Sequence, residues 1–140
     1  MIYYLFLDDV RLPKHVHWVD LPKRDWVIVR NIKEFKEVVD ENGIPRFISF
    51  DNDLRKEHYD NFLSNDCMNF DFDLFDDTGY NCAEYLVKVC LRQGVEIPDF
   101  ECHSMNPVGR SAIRNYLHSC KKVINGSLDR LELTEKENKV

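Results

Sequence analysis

The chain has 140 residues, 44% of them hydrophobic and 12% aromatic, with a formal net charge of −6. This length suits one domain with a real core rather than two, and no apolar run reaches the ~18 residues that a membrane-spanning helix needs. The acidic balance argues against a surface for non-specific duplex nucleic acid, but leaves room for a phosphate ligand beside a screening cation.

The opening MIYYLFLDD reaches two aspartates after seven residues, without the charged and apolar regions of a secretory leader. Five scattered cysteines with no CxxC pair argue against a disulfide framework or a zinc site. The expectation is a cytoplasmic protein with reduced, mostly buried thiols.

Ile2–Leu7 is a continuous apolar run, as in a parallel strand covered on both faces. After a polar stretch with Pro13 and Pro22, Trp26–Arg30 is a second strand rich in β-branched residues. Asn31 is placed to cap a helix over Ile32–Glu41, with Ile32, Phe35, Val38 and Val39 on one face and Asn42-Gly43 as its stop. Arg46–Phe50 is a third strand, ending in Asp51-Asn52-Asp53. Residues 55–77 are acidic and aromatic without a clean period, and are expected to form a long loop or lid. Thr78 caps a helix from Gly79 to about Gln93, and Phe100–Ser104 is a fourth strand. Asn106-Pro107 opens a last helix to about Val123. The charged segment from Asn125 onward is expected to fray or to carry a short final element.

Alternating strands and helices predict an α/β sandwich on a mainly parallel sheet, with ligands at the carboxyl ends of the strands. Three polar clusters follow strands: Asp8-Asp9-x-Arg11, Asp51-x-Asp53 and His103-Ser104-x-Asn106. If the sheet is parallel, they converge. Gathered carboxylates repel unless they bind a cation or take up protons, and an all-oxygen set suits Mg²⁺ or Mn²⁺. Asp8, Asp9 and Asp51 are the metal candidates, with Asp53 as a further ligand or base. Each is equally at home as a turn residue, a reading that weakens when two clusters follow two strands.

His103 is the candidate general acid or base, against the plainer role of a core histidine. Asn106, Gly109 and Arg110 suit an anion seat: a helix N-terminus, a close backbone approach and a guanidinium fork. Ser104 and Thr78 add hydroxyls. The alternative is an ordinary helix cap and a solvated arginine. Trp18 and Tyr80 either flank this cleft or simply pack.

The succession LFLDDVR (5–11), FISFDNDL (47–54), TGYNCAEYLV (78–87) and HSMNPVGRSAIR (103–114) resembles the cyclic-phosphate-processing receiver domains, a divergent branch of the response-regulator receiver fold. The resemblance covers most of residues 2–120. It implies a flavodoxin-like three-layer sandwich over residues 1–124, with an insertion at about 55–77 and a tail at 125–140. It also implies a paired-acid metal site that acts on cyclic phosphates. Carried over are Asp8 and Asp9, then Asp51 and Asp53, and His103, Asn106 and Arg110 as the phosphate-facing group. Two positions depart: Asn52 stands where the family has histidine, and Asn81 where it has an acid. No lysine suits the position expected of a phosphorelay receiver.

The leading expectation is therefore a metal-dependent phosphoesterase for cyclic nucleotides or 2′,3′-cyclic phosphate RNA ends. Two alternatives stay open: a module that binds such a ligand without turning it over, and a protein-interaction or signalling domain. The sequence allows a homo-oligomer and gives no sign of a membrane partner.

Overall fold

The computed structural model describes residues 2–54 and 78–138. Its centre is a four-stranded sheet of β1 (Tyr4–Leu7), β2 (Trp26–Val29), β3 (Phe47–Phe50) and β4 (Asp99–Cys102). The strands lie in the order β2-β1-β3-β4, and every pairing is parallel. The helices are α1 (Ile32–Asn42), α2 (Gly79–Gln93) and α3 (Pro107–Asn138). This is the expected flavodoxin-like, receiver-like α/β architecture.

The pleat sorts the strand residues onto two faces. Leu5, Leu7, Val29, Ile48, Phe50 and Cys102 belong to the main core, where they meet Phe35 and Val39 of α1, Leu86 and Cys90 of α2, and Ile113 and Leu117 of α3. Helix α1 packs on α2, and α2 on α3, so the three form one layer. The other face carries Trp26, Tyr4 and Phe47 in ring contact, then Phe6, Ser49 and His103. Among the described residues this face is covered by the segment between β1 and β2, not by a helix. A parallel crossover is usually helical, but here the connection holds only a single 3-10 turn at Pro13–His15. Beside it, Leu12, Val16, Leu21, Trp26 and Ile28 line a groove of about 550 Å³.

Local chemistry fixes the element ends. Asn31 caps α1 by accepting the Glu34 amide at 2.8 Å, and Gly94 closes α2 in the left-handed region at φ 65°. Asn31→Ala should cost about 1 kcal/mol, visible as a lower urea midpoint at unchanged slope. The first three strands are one or two residues shorter than expected from sequence, and β4 begins one residue earlier and ends two earlier, while single amide bonds from Arg46, Asp8, Asp51 and His103 continue the pairing beyond the strand ends.

The largest difference is at the end of α3. Asn125-Gly126 looks like a helix stop, yet the helix continues to Asn138. The Asn125 side chain is otherwise engaged, accepting the Ile97 amide at 3.0 Å, while Ile124 packs against the core. The 55–77 lid expectation lies outside the described residues. Cys82, Cys90 and Cys102 are buried thiols and Cys120 is half-buried. Among the described residues no helix is long and apolar enough to cross a membrane.

Candidate metal and phosphate site

Strand β1 hands the chain to β2 on one side, while β3 lies on the other, so the carboxyl ends of β1 and β3 flank the point where the strand order reverses. Asp8 and Asp9 leave β1 there and Asp51 leaves β3. The backbone amide of Asp8 donates to Val29 O at 3.1 Å and that of Asp51 to Leu7 O at 2.8 Å, which extends the ladder into the site. The three carboxylates each place an oxygen within 4.8 Å of the others. Asp8 is fully buried, Asp51 is 4% exposed and Asp9 is half-buried.

Their electrostatics differ. Burial pushes the Asp51 carboxyl up to about 7, helped by the charges of Asp8 and Asp9 and opposed by the Asn52 amide. Burial also raises Asp9, with the Asp8 charge behind it. Burial works against Asp8 too, but hydrogen bonds from His103 and from the Arg11 and Val10 amides hold its carboxyl well below the usual range. The amides of Val10 and Arg11 both donate to Asp8 Oδ1, at 2.9 and 2.8 Å. Concentrated negative charge with too few protein cations is the donor chemistry a hard divalent ion satisfies.

His103 shares this end of the sheet, but it is fully buried. Its ring stacks flat on Phe6 with centroids 4.5 Å apart, Nε2 lies 3.0 Å from Asp8 Oδ2, and Nδ1 lies 2.6 Å from Ser49 Oγ. Both ring nitrogens are engaged inside the protein, so the expected role of a proton donor to a departing ligand group has no exposed atom to perform it. Asp53 is exposed, pairs with Thr78 in an isolated antiparallel bridge, and stands outside the acid cluster.

The turn before α3 is also more self-sufficient than its sequence suggests. Ser104 Oγ accepts the Asn106 amide at 3.2 Å, and Asn106 Oδ1 accepts the amides of Val108 and Gly109 at 3.1 and 3.2 Å. Pro107 has no N–H, and the Arg110 amide bonds Asn106 O. The free amides expected of an anion seat are therefore already taken. Thr78 spends its hydroxyl similarly, accepting the Asn81 amide at 3.2 Å. Gly109 does permit a close approach, but to protein: a Cβ there would lie 2.4 Å from Asn52 Nδ2. Arg110 is half-buried, and among the described residues its guanidinium has no recorded partner.

Arg11 and Trp18, both singled out in the sequence, are joined here by Arg30 and Ser49, which are not. Arg11 reaches Asp8 Oδ2 at 3.5 Å, with its guanidinium 5.3 Å from the Trp18 ring centroid. Trp18 is held by donating Nε1–H to His103 O at 2.8 Å. Arg30 donates to the carbonyls of Asp8 and Arg11, at 3.1 and 2.7 Å, and so ties β2 to the acid loop. Ser49 is the polar residue in FISF, on the same face as Asp51, and that alternation is its only mark in the sequence. Tyr80 packs against Tyr116, with ring centroids 5.2 Å apart.

The sequence matches the family described as the cyclic-phosphate processing receiver domain over residues 3–119. The chain belongs to this family. Receiver-like domains bind Mg²⁺ through a cluster of aspartates, and this cyclic-phosphate processing receiver domain has such a cluster in Asp8, Asp9 and Asp51. The family's name implies a phosphate-bearing substrate. No curated protein and no solved structure matches the chain. Within this receiver domain Asn52, which follows Asp51, has its side chain close against Gly109.

Proposed function

We propose that this domain is a metal-dependent phosphoesterase acting on cyclic phosphates, either cyclic nucleotides or 2′,3′-cyclic phosphate RNA ends. The observation that carries the reading is the three-carboxylate cluster at the strand switch point, where burial first, and then the charges of Asp8 and Asp9, push the Asp51 carboxyl up to about 7. Asp8, Asp9 and Asp51 would hold Mg²⁺, with Mn²⁺ as a hard-ion substitute. Such an ion, when bound, polarises a phosphoryl oxygen and lowers the pKa of bound water.

The chain's own side chains supply the rest. Arg110, whose guanidinium has no partner among the described residues, would fork onto phosphate oxygens from the α3 side. Arg11 stands on the β1 side, held against Trp18 and beside Asp8, where it balances part of the cluster charge and orients a bound phosphate. Burial of Asp8 and Asp51 keeps water from screening these contacts. Asp53 is retained only as an exposed base at the rim, with Ser104, Asn106, Gly109 and Thr78 shaping the turns that carry the arginine.

A second reading, ligand capture without turnover, is favoured by one observation: His103 is enclosed, while Asn52 and Asn81 stand where the family has titratable groups. The purified chain, incubated with Mg²⁺ or Mn²⁺ and a panel of 3′,5′-cyclic nucleotides, cyclic oligonucleotides and 2′,3′-cyclic phosphate RNA ends, separates the two readings. Esterase action predicts a linear phosphomonoester by chromatography that disappears with chelator and in Asp8→Asn. Undiminished turnover in Asp8→Asn overturns the assignment. A thermal shift with ligand recovered intact supports the capture module. The proposed setting is cytoplasmic, with no affinity for non-specific duplex nucleic acid.

A further inference from the structure

Ser49, His103 and Asp8 form a hydrogen-bonded line with no exposed surface. Ser49 Oγ lies 2.6 Å from His103 Nδ1, and His103 Nε2 lies 3.0 Å from Asp8 Oδ2. All three residues are 0% exposed. The order of groups is that of a hydrolase triad, but a serine sealed inside a sheet cannot attack a substrate. The line must act on Asp8 instead.

An ionised carboxylate only accepts hydrogen bonds, so the nitrogen facing Asp8 carries the proton. The Ser49 hydroxyl proton also needs an acceptor, and a buried donor without one is costly. Among the described residues, Nδ1 is the acceptor recorded for it. Both requirements are met by one form of the ring, the Nε2–H tautomer, held flat against Phe6. On the carboxylate, Oδ1 already accepts two backbone amides, which fills its lone pairs. Among the described residues Oδ2 accepts from His103 and, at a long 3.5 Å, from Arg11, and the neighbouring Asp9 carboxyl brings no donor when ionised, so Oδ2 keeps a lone pair to offer.

We infer that Ser49 and His103 are positioning residues for cation capture: the serine hydroxyl fixes the Nε2–H tautomer, and the imidazole N–H then presents Asp8 to a divalent ion through Oδ2 alone. The inference rests on the cation-binding part of the proposed function. It explains why a polar residue interrupts the apolar β3 strand, and why the histidine lies under the acid cluster rather than in the cleft. Partners of this kind set ligand orientation, and their loss typically weakens a metal site 10- to 100-fold, on the order measured for such shells.

The test uses the full chain. ¹⁵N NMR of the histidine-labelled, cation-free protein, with the His103 signals assigned by their loss in His103→Gln, should show Nδ1 unprotonated and Nε2 protonated. Calorimetric titration with Mg²⁺ alone then compares the wild type with Ser49→Ala and Ser49→Thr. Ser49→Ala should mix the tautomers and weaken Mg²⁺ about tenfold or more, and Ser49→Thr, which keeps the hydroxyl, should restore both. If Ser49→Ala fails to fold, Ser49→Cys, with its weaker donor, takes its place. An Nδ1–H tautomer in the wild type overturns the inference, as do unchanged histidine signals and Mg²⁺ affinity in the folded variant. The expected tautomer with no Mg²⁺ uptake by the wild type would instead overturn the cation reading itself, and the positioning role with it.

Discussion

Gly79→Ala is expected to cost at least about 4 kcal/mol, enough to lower the melting temperature by more than 10 °C or to leave no folded product. A Cβ at this position would sit 1.7 Å from the carbonyl oxygen of Asp51, and 2.9 Å from the Cα of Asn52. Both are backbone atoms, so no rotamer change can make room. Relief requires α2 to back away from the end of β3, which breaks the 2.9 Å bond from the Gly79 amide to Asn52 O. Helix propensity points the other way, since alanine is better than glycine in a helix by about 1 kcal/mol. Gly126→Ala isolates that propensity: nothing lies within 4 Å of its Cβ position, and it should gain up to about 1 kcal/mol. Gly109→Ala falls between them: the Asn52 amide that obstructs it is the end of a side chain that can turn, but the Asn52 Cβ at 2.9 Å moves only with its backbone. Chemical denaturation of the three variants checks the ranking. A Gly79→Ala protein as stable as Gly126→Ala would show that α2 does not meet β3 as described.

The second large effect concerns charge. The Asp51 carboxyl is pushed up to about 7 in the folded chain, against an unfolded value near 4. The folded state therefore binds more protons between those pH values, and the stability of the cation-free chain falls as the pH rises through that window. Each pH unit is worth about 1.4 kcal/mol, so ionising the Asp51 carboxyl, buried and beside Asp8 and Asp9, costs roughly 4 kcal/mol above pH 7. Asp8, held low by His103 and two amides, acts in the opposite sense: its contribution is complete above the unfolded carboxylate range and is lost on acidification below it. The cation-free chain should thus be most stable near pH 4 to 5. Mg²⁺ competes with the proton, so its stabilisation should be largest above pH 7, about 2.7 kcal/mol at 100 times the dissociation constant, and negligible near pH 4. Asp51→Asn removes the repulsion while keeping an oxygen for the Asn52 amide. At pH 8 without cation it should melt roughly 5 to 12 °C higher than the wild type, and it should lose the Mg²⁺ shift. Melting curves from pH 4 to 8, with and without Mg²⁺, provide the check. A flat profile and an unstabilised Asn variant would mean that Asp51 does not bear the cluster's strain.

Much of this geometry is legible in the sequence, and the parts that are not have physical reasons. Apolar runs ending in acids mark β1 and β3, and parallel pairing brings those acids together, so Asp8, Asp9 and Asp51 converge as expected. The helix faces follow the same way: Phe35 and Val39, or Leu86 and Cys90, recur at helical spacing and are buried. What spacing cannot show is which polar groups are consumed by their own neighbours. His103, Ser104, Asn106 and Thr78 are the residue types a phosphate seat would use, yet the structure spends the last three on local hydrogen bonds and His103 on Ser49 and Asp8 across the sheet. Arg11 and Trp18 sit in a connection without periodicity, and only the folded path of that segment stacks them on each other beside Asp8. The continuation of α3 past Gly126 was hidden because a residue type that ends helices was answered by a distant amide, that of Ile97.

The self-capped turns before α2 and α3 have a consequence for how such a domain can diversify. A phosphate pocket built from backbone amides is fixed by the fold, and single substitutions barely alter it. Here the Asn81 amide is bonded to Thr78 and those of Val108 and Gly109 to Asn106, so under the proposed function selectivity would fall to projecting side chains such as Arg11, Trp18 and Arg110. Each of these can be exchanged by point mutation without unpicking a helix end, which leaves ligand preference free to drift across descendants while the acid-lined scaffold stays constant.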